Sequence, residues 1–181
     1  MFAAYITTSM LTKKNISLLF TILVTNCTLV PTNPDPLPCD ENSTGCFRCK
    51  IDGDYFTPNG PWKSTPLQAY LKDSGKHLEM WGNNGGKSVA IVLKSTRPIE
   101  SGTYALTSWP ISVGYYGSGT TTFRTGPSNP GSLTITSLTA VVNQVNQPVI
   151  SGAFSFTGLD SLTRKQVAVT KGFFRVRYIK Y

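Results

Sequence analysis

The chain has 181 residues, 40% hydrophobic, 11% aromatic and 14% charged, with seventeen Lys and Arg against nine Asp and Glu. That length and apolar content suit one packed domain. The low charge argues against a coiled coil, and the aromatic and β-branched residues argue against a disordered chain.

Lys13 and Lys14 precede the apolar run Ile16–Val24, and Cys27 follows shortly after. A basic stretch before so short an apolar run is the pattern of a secretory leader, not of a membrane-spanning helix. Residues 1–26 are read as that leader, with Met10 as an alternative start. Val24-Thr25-Asn26-Cys27 resembles the lipobox at which an exported protein is lipidated. The resemblance implies a lipid on Cys27; an ordinary signal peptide with an incidental Cys is the alternative. Residues 28–45 are rich in Pro, Asn, Ser and Thr, the composition of an extended tether. The expectation is an exported protein anchored in the membrane through Cys27, on the periplasmic or outer-membrane side.

Three further cysteines, Cys39, Cys46 and Cys49, lie where the tether meets the domain. In an oxidising compartment this predicts one disulfide, Cys39 with Cys46 or with Cys49. Cys46 and Cys49 fall on one strand, where side chains three apart point to opposite faces and cannot bridge. The single histidine, His77, has no ligand spacing around it, so neither a metal nor a cofactor is expected.

From Phe47 to Tyr181 the pattern has a period of two. Asp52-Gly53 marks a tight hairpin between Cys49–Ile51 and Asp54–Phe56. Thr65–Lys72 reads as a strand with Leu67, Ala69 and Leu71 inward, turning through Asp73-Ser74-Gly75; a short helix capped by Thr65 is the other option. Asn83-Asn84-Gly85-Gly86 separates Leu78–Trp81 from Ser88–Leu93, a strand apolar on both faces. Leu133–Leu138, Ile150–Phe156 and Phe174–Tyr178 alternate, while glycines at 102, 114, 126, 131, 152, 158 and 172 read as punctuation. These signals predict an all-β domain over 46–181, of roughly nine to eleven antiparallel strands, a single β-sandwich with a β-barrel as second choice.

The stretch Phe47–Pro58, with its Asp-Gly turn and aromatic-x-Pro, resembles the opening of an uncharacterised, all-β secreted lipoprotein domain family of Bacteroidota. Gly102–Leu106, Gly131–Thr136, Ile150–Phe156 and Val167–Phe174 are similar to its later strands, in the same order. The resemblance implies an exported β domain and brings no catalytic residues with it.

Chemistry is scarce. His77 shares a strand face with Glu79, so a surface ion pair is expected there rather than a catalytic base. A glycan hydrolase needs two carboxylates across a cleft; the candidates are Asp52, Asp54, Asp73, Glu79, Glu100 and Asp160, most of them in turn contexts, with Glu79→Gln or Asp54→Asn as the variants that test that alternative. Gly117-Ser118-Gly119 reads as a loop without a following helix to hold phosphate. The better lead is Trp62, Trp81, Trp109, Tyr115 and Tyr116, expected in or beside loops, where rings stack on sugars and Asn83, Asn84 and Asn129 supply hydrogen bonds. The alternative role for these rings is to cap the ends of the sandwich.

Removing the leader lysines leaves a net charge of +6 over 28–181, with six cations and no acid in the last eighteen residues. Arg175 and Arg177 form a basic stripe for anionic headgroups, glycans or polyanions, or else a solvated strand face with edge-protecting charges. No nucleic-acid motif is present. The expected function is a lipid-anchored envelope module, non-catalytic, that binds a glycan or an envelope protein or serves structurally.

Overall fold

The computed structural model describes residues 45–58, 67–108, 111–139 and 148–181. Leader, tether, Cys27, Cys39, Trp62 and Trp109 lie outside them. The strands are β1 (Cys46–Ile51), β2 (Asp54–Phe56), β3 (Leu67–Lys72), β4 (His77–Asn84), β5 (Lys87–Lys94), β6 (Gly102–Leu106), β7 (Ser112–Ser118), β8 (Thr121–Arg124), β9 (Gly131–Thr139), β10 (Val149–Leu159), β11 (Gln166–Arg177) and β12 (Ile179–Lys180). They form one open sheet in the order β12-β3-β4-β5-β7-β8-β10-β11-β1-β2, with β9 beside β10 and β6 beside β9.

The all-β expectation holds, and the sheet folds on itself as a sandwich. One layer is β12, β3, β4, β5, β7 and β8; the other is β6, β9, β10, β11, β1 and β2. Between β8 and β10 the link is a single pair, Arg124 with Leu159. The layers meet at close range: the Phe47 ring of β1 would stand 3.2 Å from a Cβ on Gly82 of β4. Phe156 of β10 packs in the same way against Gly114 of β7. Leu78, Met80, Val89 and Ile91 fill one inner face, and Phe47, Phe56, Phe154 and Phe174 fill the other.

Local chemistry sets the hairpins. Asp52 (φ 50) and Gly53 (φ 95) turn β1 into β2, and Gly85 (φ 53) and Gly86 (φ 86) turn β4 into β5. Both are left-handed pairs whose twist matches the flanking strands. The strand option for residues 67–72 is the observed one.

Several expectations change. Among the described residues there are twelve strands, and β12 pairs β3 in parallel, so the sheet is mixed. The sheet is open rather than closed as a barrel. Gly117 and Ser118 end β7, and only Gly119-Thr120 turn. Gly114, Gly152, Gly158 and Gly172 are strand residues, not turns. β11 carries a bulge at Lys171 (φ 50), which shifts its period by one. The shift lets Val167 and Val169 before it, and Phe174 and Val176 after it, all reach the core.

Candidate functional site: an aromatic row on the outer sheet face

Alternation fixes which side chains leave the core. On β3 the inward residues are Ala69 and Leu71, so Gln68, Tyr70 and Lys72 face out; on β4 the outward set is His77, Glu79, Trp81 and Asn83. Tyr70 lies opposite Glu79 and Trp81 opposite Gln68, making the two rings diagonal neighbours. Their centroids are 5.3 Å apart with planes at 39°. Tyr181 follows β12 and is fixed by its N–H donating to the Leu71 carbonyl at 3.0 Å. Its ring lies 5.8 Å from Tyr70 and is 70% exposed. Three rings thus run across β4, β3 and the end of the chain.

The row continues beyond a gap. Ala90 of β5 stands between Trp81 and Tyr115 of β7, in one cross-strand line. Two strand spacings separate those residues, about 10 Å. The hydroxyl of Tyr115 reaches over Gly117, where a Cβ would stand 2.8 Å from it, so the ring extends along the strand. The Arg124 guanidinium lies 6.0 Å from the centroid of that ring.

A charged row borders the rings. Lys72 Nζ donates to Glu79 Oε2 at 2.7 Å. This bond to Glu79, outweighing desolvation, raises the pKa of Lys72 above its ordinary value. His77 Nε2 stands 3.0 Å from Glu79 Oε1, and His77 Nδ1 is 3.5 Å from Asp73 Oδ2. Direction matters here: Nε2 makes no hydrogen bond despite the short distance. The expected His77–Glu79 contact is present, within a four-residue charge network. Chemically this arrangement holds side chains in place beside the aromatic row and offers polar groups to its flank.

Of the candidate carboxylates, Asp54 and Glu79 stand apart. Asp54 faces a cleft with Asn84, and Asn84 is five residues beyond Glu79 along β4, about 17 Å. Carboxylates that share a glycosidic bond stand no more than about 9.5 Å apart. Among the described residues no three His, Cys, Asp or Glu side chains converge as metal ligands.

The expected aromatics separate by face. Trp81 and Tyr115 are outward and mid-strand rather than beside loops. Tyr116 is a correction: it is only 6% exposed, points inward and stacks on Phe123 at 5.7 Å. Asn84 and Asn129 donate to backbone carbonyls, of Thr57 for the first and of Arg124 and Thr157 for the second. Tyr70, Gln68 and Tyr181 were not singled out by the sequence. The signal for Tyr70 and Gln68 was available, since placing Leu67, Ala69 and Leu71 inward places them outward.

Cys49 is buried and free, which removes it as a partner for Cys39. Burial pushes its thiol pKa up to about 12. Cys46 and Cys49 take opposite sides of β1, as strand geometry requires. Arg175 and Arg177 lie on the outer face of β11, Arg175 between β10 and β1 and Arg177 opposite Val149 of β10. Arg175 thus sits on a stretch of β11 paired on both sides, where it protects no edge.

The family described as a domain of unknown function, DUF6252, matches residues 46–176. No curated protein and no solved structure matches the chain.

Proposed function

Because the chain belongs to the DUF6252 family, whose domain coincides with the β-sandwich, we propose a non-catalytic binding module of the cell envelope as its function. In this reading the chain is exported, a lipid on Cys27 holds it at the membrane, and residues 28–45 are the tether. A Cys39–Cys46 disulfide pins the tether to β1, since Cys49 is buried and free. The ligand is a glycan, bound on the outer face of β12, β3 and β4.

One observation carries this reading: the Tyr181–Tyr70–Trp81 row faces outward across three strands. Rings in that position stack on the C–H faces of sugars while polar tips stay wet. Gln68, Asn83 and the Lys72–Glu79 pair flank the row with donors and acceptors for hydroxyls. A glycan is favoured over a protein partner because the rings form a narrow strip bordered by charge, not a broad apolar patch.

The test is retention of the protein on immobilised envelope glycans. Trp81→Ala and Tyr70→Ala should each weaken retention about tenfold without unfolding the domain. Retention indifferent to both substitutions, or absent from every glycan class, would refute the reading. Membrane attachment is tested separately: Cys27→Ser should shift the protein to the soluble fraction, and continued sedimentation with membranes would remove the lipid anchor.

A further inference from the structure

We propose that Arg175 and Arg177 form an oxyanion-binding site on β11 that holds the domain against the phosphate headgroups of an anionic membrane. Both arginines face out of β11: Arg175 lies between Ser151 of β10 and Cys46 of β1, and Arg177 lies opposite Val149 of β10, past the start of β1. Arg175 Nε is buried and has no hydrogen-bond partner among the described residues. Arg175 is half-buried and Arg177 exposed, so an oxyanion would meet the outer nitrogens of their guanidinium groups rather than Arg175 Nε. Among the described residues the ion pairs involve Lys72 and His77, and neither arginine takes part.

Other cations share this face. β1, β9, β10 and β11 contain no Asp or Glu at all. Arg48 lies opposite Phe173 on the same face, its guanidinium 5.8 Å from that ring, and Lys50 lies opposite Thr170. Arg175 and Arg177 are two residues apart on one strand, about 7 Å, close enough for neighbouring phosphate groups. Guanidinium suits phosphate because its planar fork donates two parallel hydrogen bonds.

The choice of a lipid surface comes from where the chain joins the domain. Gly45 donates its N–H to the Arg175 carbonyl at 2.9 Å, and Cys46 lies opposite Arg175. The tether from Cys27 therefore meets the sandwich at the basic stripe. This choice rests on the membrane-tethered reading above, whereas the oxyanion site itself does not.

The experiment uses the secreted chain carrying Cys27→Ser, so that no lipid contributes, and measures co-sedimentation with vesicles. Phosphatidylglycerol vesicles should bind it, with binding weakened by salt, and pure phosphatidylcholine vesicles should not. Arg177→Gln should lose about fivefold and the Arg175→Gln/Arg177→Gln pair about thirtyfold, while the double Lys variant, which keeps the charge but not the fork, should fall between the wild type and the double Gln variant. Arg177 is exposed, so its single variant keeps the test decisive if the double variant melts early. Equal binding to both vesicle types, or full binding by the double Gln variant, would overturn the site. Binding to a sulfated polysaccharide with none to phosphatidylglycerol would overturn the lipid surface. None of these outcomes bears on Cys27 lipidation, which is read from fractionation of cells.

Discussion

Gly152 of β10 lies directly opposite Phe174 of β11, and the Phe174 ring occupies the space that a Cβ at residue 152 would need. Two residues along, the relation reverses: Phe154 lies opposite Gly172, and its ring would stand 2.6 Å from a Cβ there. The Phe154 and Phe174 centroids are 6.3 Å apart. Ring and gap alternate along this ladder because adjacent strands are too close for two phenylalanines to share each inward position.

Gly152→Ala tests that arrangement. The added methyl would press on the Phe174 ring and on the Thr134 carbonyl, which is backbone and cannot swing aside. We expect a loss of about 3 kcal/mol, the upper part of the range for overpacking. Urea denaturation should show a lower midpoint with an unchanged slope, and an unmoved midpoint would mean the ladder has spare room.

Asp52 and Ala168 join the first hairpin to β11 across 116 residues of sequence. Asp52 N–H donates to the Ala168 carbonyl at 2.9 Å, and Ala168 N–H donates to Asp52 Oδ1 at 2.8 Å. Asp52 also holds a left-handed φ of 50°, which Asp and Asn tolerate better than Ala. Asp52→Ala should cost about 2 kcal/mol and Asp52→Asn much less, since Asn keeps an acceptor. Thermal melts of the two variants that coincide would contradict this.

The buried Cys49 thiol gives a pH signature. Its pKa rises from 9.0 to about 12 in the folded protein, because burial disfavours the thiolate. The unfolded chain releases this proton first as pH rises, so stability is full below pH 9.0 and declines between there and about 12. Cys49→Ala should flatten that part of the curve. In the native protein Cys49 should also resist alkylation at neutral pH and react once the chain is unfolded.

Asp160 acts at the opposite end of the pH range. Thr163 Oγ1 donates to its Oδ2 and Leu162 N–H to its Oδ1, and these bonds, the Thr163 one first, hold its pKa below the ordinary carboxylate value. A lowered folded pKa means stability that is present above the unfolded value and lost as pH falls through the folded one. Asp160→Asn should weaken the protein at neutral pH and flatten its acid limb below about pH 4. An acid limb identical to the wild type would show that the turn does not depend on the charge.

Much of the fold was readable from local pattern. The Asp52-Gly53 and Gly85-Gly86 turns, the inward set Leu67, Ala69 and Leu71, and the opposed faces of Cys46 and Cys49 follow from backbone preferences within a few residues. The site was half readable: alternation places Trp81 and Tyr70 outward, but no local rule makes them neighbours of Tyr181. That meeting depends on β12 pairing with β3, an encounter of segments more than a hundred residues apart.

Local pattern accounts for the strand period, the tight hairpins and the cationic, acid-free character of the last eighteen residues. Tertiary structure decided what those features are for. It turned glycines 114, 152 and 172 from apparent breaks into seats for phenylalanine rings. It buried Tyr116 while leaving Trp81 and Tyr115 on the outer face. It also placed β11 in the middle of a layer, so that Arg175 and Arg177 face out from a central strand. The physical reason is one of range. Turn chemistry and alternation act between near neighbours, whereas strand order and ring-to-gap packing are set by burial between segments far apart in the chain.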